Sequence, residues 1–427
     1  MKPNIVFVIN YFYPDYASTG QILTELCLHL QHDFNITVIA ARPGGYNEQG
    51  VRTGKRVEES RLENIRILHI ALPNVNKNSM SSRLRYIAAY FFQAVLLLLR
   101  QRKVDFVYTI SQPPILGGTI GTIGKWLKRA KHIYNIQDFN PEQAEAVGFS
   151  SPLMIKLARA VDIFNCRMAT HIITVGYDMK ETLEKRFNYH KVPDNTVIHN
   201  WTNEEEIVPL PKTHPRVADF IAAHGLEGKF IVMYSGNLGL YYDLENLVRY
   251  TDQFRDFKDM VFVFIGDGAV KKKMQQVVEK LGVDQVRFLP YQPKEDLVYS
   301  LNAADVHLVV NQKGIKGVSV PSKIYGVMAA GKPVLGVLEE GSEAYRLIEL
   351  SGNGMLVEPQ QYDQFVKSMK NMYLLDREQL RRMGGRGRTY LEKHLRRETS
   401  MEKYRVLLRQ LADSPKPHTY SEMEVPR

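Results

Sequence analysis

The sequence MVFVFIGDG at residues 260–268 decides the fold class, together with KKKMQQVVEKLG at 271–282 and VRFLP at 286–290. Six apolar residues end in a glycine-rich turn, and apolar positions at helical spacing then lead into a second apolar run. This order predicts a parallel β-α-β unit. Similar apolar runs are FIVMYSG at 230–236, VHLVV at 306–310 and KPVLGV at 332–337. The second half of the chain is therefore predicted to be a Rossmann-type α/β domain, whose ligands bind outside the carboxyl ends of the strands.

The first half of the chain repeats this alternation. Its strand-like runs include NIVFVIN at 4–10, ITVIAA at 36–41, DFVYTISQ at 105–112 and HIITVG at 171–176. After VIHNW at 197–201 the composition becomes rich in Glu and Pro, which is typical of a linker. We predict two Rossmann-like domains with parallel sheets that face each other across a cleft. The predicted bounds are 1–203 for the first domain, 204–228 for the linker, 229–390 for the second domain, and 391–427 for a C-terminal helix with a loose tail.

Length and composition exclude several classes of protein. The chain has 427 residues, of which 44% are hydrophobic and 24% charged, so it can bury a large core and is not disordered. Only 2 cysteines, Cys27 and Cys166, occur, both among apolar neighbours, which favours buried thiols in a reducing compartment over a disulfide framework. The N-terminal apolar run has five residues and no small-residue cleavage site, so we expect a strand there and not a signal peptide.

The net charge of +10 is concentrated in one segment. Residues 77–131 contain ten Lys and Arg and one acidic residue, Asp105, so the rest of the chain is almost neutral. The segment surrounds YIAAYFFQAVLLLL at 86–99, a 14-residue run that is shorter than the roughly 20 residues of a membrane-spanning helix. We predict an interfacial helix on an anionic membrane surface; a core helix with solvated flanks is the alternative. Nucleic-acid binding fits poorly, because Leu and Phe separate the charges. The predicted membrane-facing residues are Arg83, Arg85, Arg100, Arg102 and Lys103.

Small-residue loops follow three strands of the second domain. They are SGNLG at 235–239, GDG at 266–268 and GVSVPSK at 317–323. Glycines let backbone amides approach an anion closely, so three such loops favour a nucleoside diphosphate site over ordinary turns. Lys323 follows Pro321 and Ser322 at a helix start, where a cation is unfavourable unless an anion lies beside it. A lysine that extends to solvent is the alternative.

The order of YFYPDYASTGQ, QDFNPE, VIHNW, YSGNLG, FIGDG, VRFLPY and SVPSKIYGVMAAGKPV resembles the family-4 glycosyltransferases of the GT-B fold. It is most similar to the branch that assembles bacterial exopolysaccharide and O-antigen repeat units. The resemblance implies retaining transfer of a sugar from a nucleotide donor, a UDP-sugar before a GDP-sugar, to a polyprenyl-diphosphate-linked acceptor. It further implies a metal-independent cytoplasmic enzyme, peripherally attached to the inner face of the membrane, with no cofactor. The absence of a D-x-D triplet agrees with diphosphate neutralisation by cations and amides.

The same resemblance implies roles for individual residues. Asp138 would orient the acceptor hydroxyl or stabilise charge at the anomeric carbon, with Glu142 as a weaker candidate; alternatively, Asp138 caps the helix that starts near Pro141. The SQPPILGG loop at 111–118 resembles an acceptor-side loop. Gly20, in a loop that closes over the phosphates, has a simple turn as its alternative. The catalytic candidates are Asp138, Lys323 and Glu142, and the donor-binding candidates are Gly20, Gly236, Asn237, Asp267, Tyr291, Ser322 and Lys323.

Two departures from the family pattern keep other functions open. The family's E-x7-E pair corresponds to Val318 and Gly326, and its diphosphate-binding Arg and Lys correspond to Asn237 and Tyr242. The alternatives are a nucleotide-sugar 2-epimerase of the same fold and a catalytically silent paralogue that binds lipid-linked sugars or scaffolds a polysaccharide complex.

Overall fold

Two α/β units make up the structure, a computed structural model that describes residues 2–14, 18–42, 56–74, 80–148 and 150–414. The first unit is built on an eight-stranded sheet of order β3-β4-β2-β1-β5-β6-β7-β8, and the second on a six-stranded sheet of order β11-β10-β9-β12-β13-β14. The strands are β1 Asn4–Val8, β2 Asn35–Ala41, β3 Val57–Leu62, β4 Ile65–Ile70, β5 Phe106–Ile110, β6 Lys131–Ile136, β7 His171–Thr174, β8 Asn195–Val197, β9 Phe230–Ser235, β10 Met260–Ile265, β11 Val286–Leu289, β12 Val306–Val310, β13 Val334–Val337 and β14 Gly354–Val357.

Helices cover both sheets and follow most of the strands. They are α1 Ser18–Leu30, α2 Met80–Arg100, α3 Leu116–Lys128, α4 Asn140–Ala146, α5 Pro152–Met168, α6 Tyr177–Arg186, α7 Pro215–Ala223, α8 Leu244–Leu247, α9 Lys271–Leu281, α10 Leu297–Ala303, α11 Lys323–Ala329, α12 Glu343–Ser351, α13 Tyr362–Leu374, α14 Arg377–His394 and α15 Arg397–Asp413. Three short 3-10 helices span Leu240–Tyr242, Val248–Phe254 and Lys294–Asp296.

The predicted α/β class with two parallel sheets is confirmed, with one exception. All pairings in the second sheet are parallel, whereas β3 pairs antiparallel with β4 at the edge of the first. Its sequence, VEESRL, lacks the continuous apolar run of a strand buried on both faces. The other strands were predicted from continuous apolar runs, and a half-exposed edge strand such as β3 has no such run.

The two faces of the first sheet have different partners. Val6 and Val8 of β1 pack with Tyr90 and Leu98 of α2, while Phe7 packs on the opposite side among residues of α1 and α15. Alternation of side chains along a strand produces this division. The helices α2, α3 and α5 thus form one layer of the first unit, because α3 packs against both α2 and α5.

The predicted domain bounds differ from the packing at two places. The helix α7 lies within the predicted linker, yet Val217 and Ile221 pack with Ile231 and Met233 of the second unit. Residues 377–413 form two helices instead of a terminal one, and α14 crosses the predicted boundary at residue 390. The helix α15 packs in the core of the first unit. The predicted loose tail lies mostly outside the described residues.

Candidate active site

Two glycine turns at the ends of β9 and β10 form the floor of the candidate site. Gly236 and Gly266 have φ angles of 142° and 138°, which residues with a side chain rarely adopt. A Cβ atom on Gly266 would lie 2.0 Å from the carbonyl oxygen of Gly236, so only glycine fits there. The Leu238 amide donates a hydrogen bond to the Asp267 carbonyl at 2.9 Å. The two turns therefore hold each other in place and line the carboxyl edge of the sheet.

Lys323 lies directly above the first of these turns. A Cβ atom on Gly236 would be 2.9 Å from Cε of Lys323. The Lys323 ammonium lies over the rings of Tyr234 and Tyr242, 4.6 and 4.1 Å from their centroids. Burial lowers the pKa of this lysine to about 7, because removal from water disfavours the charged form. The alternative of a lysine extended to solvent is wrong.

The remaining donor-binding candidates of the second unit lie around the same turns. The Tyr291 hydroxyl donates to the Asp267 carbonyl at 3.3 Å. A Cβ atom on Gly268 would lie 2.7 Å from Oδ1 of Asn237. Ser322 immediately precedes α11, and its side chain makes no capping hydrogen bond. The structure thus brings Gly236, Asn237, Asp267, Tyr291 and Lys323 together, with Ser322 adjacent.

Asp138 reaches this site from the first unit. It follows β6 and forms an isolated antiparallel bridge with Ser319, and the neighbouring Phe139 amide donates to the Val318 carbonyl at 2.9 Å. Its carboxylate accepts hydrogen bonds from the side chains of Gln143, at 3.4 Å, and Ser319. Burial raises the pKa of Asp138 to about 6, although both hydrogen bonds act to lower it. The helix α4 begins after Phe139 and has no side-chain cap, so the alternative that Asp138 caps this helix is wrong.

Tyr242 connects the two charged candidates. Its ring lies under the Lys323 ammonium, and the negative charge of Asp138 helps burial to raise the pKa of the Tyr242 hydroxyl. The family that this sequence resembles has a diphosphate-binding cation at the position of Tyr242. In this chain the position holds an aromatic ring, which contacts the Lys323 ammonium instead. An acid from one unit and a cation from the other therefore both lie close to one aromatic residue.

Comparisons with known proteins relate this chain to glycosyltransferases. A family profile described as glycosyl transferases group 1 matches residues 217–390, the part that carries the glycine turns and Lys323. WbjE of Pseudomonas aeruginosa, whose name describes a glycosyltransferase, is 29% identical over 81% of this chain and 84% of its own length. The second unit of this chain carries a glycosyl transferases group 1 domain. WcaI of Escherichia coli (strain K12), whose name refers to colanic acid biosynthesis, is 26% identical over 58% of this chain and 61% of its own length.

The GT-B fold of this glycosyltransferase is shared by a solved structure of HepE from Anabaena, in complex with UDP and glucose. The TM-score is 0.70 at 15% identity, and the match covers 96% of this chain and 100% of HepE. The predicted resemblance to glycosyltransferases and the predicted GT-B fold are confirmed, as is the similarity to enzymes of polysaccharide biosynthesis.

Glu142 has another role in the glycosyltransferase than the predicted catalytic one. Its carboxylate pairs with Arg159 at 3.1 Å and with Arg186, which also binds Asp162 at 2.7 Å. Both oxygens of Glu142 accept hydrogen bonds from guanidinium groups. The Arg186 guanidinium lies over the ring of Phe139, 4.1 Å from its centroid. Glu142 is therefore a positioning residue that fixes the segment next to Asp138.

Gly20 lies in the first turn of α1 and not in an open loop. A Cβ atom there would lie 3.3 Å from the backbone of Tyr11, so glycine permits α1 to approach the segment after β1. The predicted closing loop, residues 18–20, forms the start of α1, and residues 15–17 before it lie outside the described residues. The three atoms nearest to such a Cβ all belong to Tyr11 and none to the donor-binding turns.

A pair of carboxylates joins the two units of the glycosyltransferase, and sequence reasoning missed it. Asp178 accepts hydrogen bonds from the backbone amides of Gly317, at 2.9 Å, and Glu343, at 3.1 Å. In return, Glu343 accepts from the Tyr177 amide at 2.8 Å and from His199 at 3.0 Å. Each carboxylate thus binds an amide in the first turn of the other's helix, α12 or α6. The partners are separated by more than 130 residues, so no local pattern indicates the pairing.

Replacement of Glu343 by glutamine is expected to lower the free energy of unfolding by about 1–3 kcal/mol. Burial acts to raise the pKa of Glu343, but hydrogen bonds from His199 and Arg346 hold it below its usual value, so the native group is a charged acceptor. Urea unfolding measures the change. Glu349→Gln, at an exposed position of the same helix, is the matched control and should shift stability by less than about 0.5 kcal/mol. Equal stability of the two variants would contradict the role given to Glu343.

The cations predicted to face a membrane lie at the two ends of α2. Arg85, Arg100, Arg102 and Lys103 are exposed, and Arg83 is partly buried. Residues Ser81–Arg100 form a helix that is long and apolar enough to cross a membrane, with a mean hydropathy of 1.3. One face of this helix is nevertheless buried on the first sheet. Within the described residues, no group of three His, Cys, Asp or Glu side chains is arranged to hold a metal ion.

Proposed function

We propose that the protein is a retaining, metal-independent glycosyltransferase that moves a hexosyl or acetamidohexosyl group from a UDP-sugar to a polyprenyl-diphosphate-linked saccharide at the cytoplasmic face of the membrane. The observation that carries the proposal is that Asp138 and Lys323, one from each unit, both lie close to Tyr242, with Lys323 above the Gly236 turn. The complex of HepE with UDP and glucose supports a nucleotide-sugar donor for this fold.

In the proposed reaction, the bond between the anomeric carbon and the diphosphate oxygen breaks, and the acceptor hydroxyl oxygen bonds to that carbon. Lys323 and the amides of the glycine turns stabilise the negative charge that develops on the leaving diphosphate. Asp138 stabilises the positive charge at the anomeric carbon and orients the hydroxyl, whose proton goes to the leaving diphosphate. Burial lowers the pKa of Lys323, but a bound diphosphate would favour the charged form of the lysine. Lys323 can therefore supply positive charge at the diphosphate in place of a metal ion.

The choice of donor is tested by thermal unfolding with nucleoside diphosphates. UDP at 100 times its dissociation constant should stabilise the folded state by about 2.7 kcal/mol, whereas GDP and ADP at the same concentration should have much smaller effects. The measurement is the rise of the unfolding midpoint at a series of ligand concentrations. A larger rise of the midpoint with GDP than with UDP would contradict a UDP-sugar donor and favour a GDP-sugar.

Product analysis separates the proposed activity from the two alternatives. Incubation with UDP-sugars and membrane extract should give free UDP and a glycosylated lipid. A 2-epimerised UDP-sugar as the product would favour the epimerase. Binding of UDP without turnover would favour the silent paralogue, which the missing Glu pair at Val318 and Gly326 keeps open.

A further inference from the structure

The outer surface of the layer formed by α2, α3 and α5 is unusually apolar. Ten of the 18 exposed large hydrophobic side chains in the described part of the chain lie on these three helices, so their exposure is concentrated in one region. Large apolar surfaces of this kind mark sites of interaction. We call these ten residues the three-helix face: Leu84, Phe92 and Leu96 of α2, Trp126 and Leu127 of α3, and Leu153, Met154, Leu157, Val161 and Phe164 of α5.

Specific contacts join the three helices into one surface. Lys125 and Lys128, near the end of α3, donate to the carbonyls of Met168 in α5, at 2.8 Å, and Leu99 in α2, at 3.0 Å. The rings of Trp126 and Phe164 are 5.9 Å apart. The C-terminal ends of the three helices therefore lie side by side, and the exposed apolar side chains of α3 and α5 are in direct contact.

The charges on these helices are almost all positive. Their one acidic residue is Asp162 of α5, which is buried and paired with Arg186. Exposed cations border or interrupt the apolar residues, so the surface is complementary to an anionic lipid headgroup layer. The exposed cations are Arg85, Arg100, Arg102, Lys103, Arg129, Lys156 and Arg167.

We propose that the three-helix face inserts into the surface of an anionic lipid bilayer. Aromatic and aliphatic side chains enter the boundary between headgroups and acyl chains, while the cations contact lipid phosphates. The sequence predicted α2 alone as the interfacial element, but α5 contributes half of the exposed apolar residues, more than either α2 or α3. A bilayer explains both the apolar residues and the surrounding positive charge.

The orientation of the helices relates the three-helix face to the lipid-linked acceptor of the proposed function, and this step of the inference rests on that function. The N-terminal ends of α3 and α5 lie toward the carboxyl edge of the first sheet, as follows from their position after parallel strands. Asp138 follows β6 at that same edge. An acceptor held in the bilayer by its lipid would therefore reach Asp138 beside the membrane surface.

Fluorescence of Trp126 tests the insertion directly. The chain has 2 tryptophans; Trp126 is 50% exposed and Trp201 only 4% exposed. Vesicles of phosphatidylglycerol and phosphatidylcholine should shift the emission of the full chain to shorter wavelength, and brominated lipids should quench it. Trp126→Phe should remove both changes. Absence of a shift and of quenching with the unchanged protein would overturn the proposal.

Vesicle co-sedimentation of a double variant provides the second test. Leu153 and Leu157 are 77% and 66% exposed, so Leu153→Glu with Leu157→Glu should leave the fold intact. We expect at least a tenfold loss of partition into the anionic vesicles. Leu374→Glu, at a 75% exposed position of the second unit, is the matched control and should bind like the unchanged protein.

Two outcomes of this test contradict the proposal. The first is equal partition of the double variant and the Leu374→Glu control into vesicles. The second is that the unchanged protein forms a dimer in solution and does not bind vesicles, while the double variant is a monomer. UDP-dependent thermal stabilisation is measured in the same samples without lipid. A normal UDP response with no vesicle binding would refute only the membrane surface, whereas vesicle binding with no nucleotide response would refute only the proposed donor.

Discussion

Replacement of Asp138 by asparagine is expected to slow sugar transfer by about 10²- to 10⁴-fold. The carboxylate lies at the junction of the two units, and asparagine retains its size and an oxygen that accepts from Gln143 and Ser319, while the charge is lost. Steady-state turnover with a saturating donor measures the effect. The UDP-dependent rise of the unfolding midpoint should be unchanged, which separates lost chemistry from lost binding.

The pH profile gives an independent test of Asp138. Burial raises its pKa to about 6, and the ionised form is the active one in the proposed reaction. Turnover of the unchanged protein should therefore fall as pH decreases through about 6, and the Asp138→Asn variant should lack this acid limb. A variant that keeps both full turnover and the acid limb would show that another group carries the charge.

The second large effect is expected at Lys323. Lys323→Met should reduce kcat/KM by about 10²- to 10³-fold, the cost of removing one preorganised donor from a developing oxyanion. Methionine preserves the unbranched chain between Tyr234 and Tyr242, so the packing above Gly236 should persist. Lys272→Met, at an exposed position of the same unit, removes an equal charge and should leave kcat/KM unchanged.

The lowered pKa of Lys323 also predicts how UDP affinity depends on pH. Below about pH 7 the ammonium is already charged, and above it the lysine must take up a proton when the diphosphate binds. Affinity should therefore fall as pH rises through about 7, with proton uptake that calorimetry in buffers of different ionisation enthalpy detects. The same pH dependence in Lys323→Met would contradict the assignment of Lys323 to the diphosphate.

Much of the donor side could be predicted because its residues are short-range features of the sequence. Glycine after a strand has a local physical reason, and Gly236, Asp267 and Lys323 each occur in a recognisable turn or helix start. The spatial convergence follows from the rule that the carboxyl ends of parallel strands meet at one edge. The support of Lys323 by Tyr242 could not be predicted, since it depends on the fold of a 3-10 turn.

The errors concern residues whose role depends on distant partners. Glu142 was a candidate because it lies near Asp138 in the sequence, but its carboxylate accepts a hydrogen bond from Arg186, which is located 44 residues later. The Asp178 and Glu343 pair and the exposed face of α5 likewise became visible only from the packing of whole helices. Periodicity could identify α5 as a helix but could not show which of its faces the rest of the chain leaves uncovered.

The return of α15 to the first unit has a consequence for the order of folding during synthesis. Met401, Tyr404 and Leu408 belong to the same core as Ile5 and Phe7, and the Asn135 side chain binds the Tyr404 hydroxyl at 2.8 Å. A ribosome produces the whole second unit before it produces these residues. The core of the first unit therefore stays incomplete until α15 has been synthesised, which happens only after the second unit.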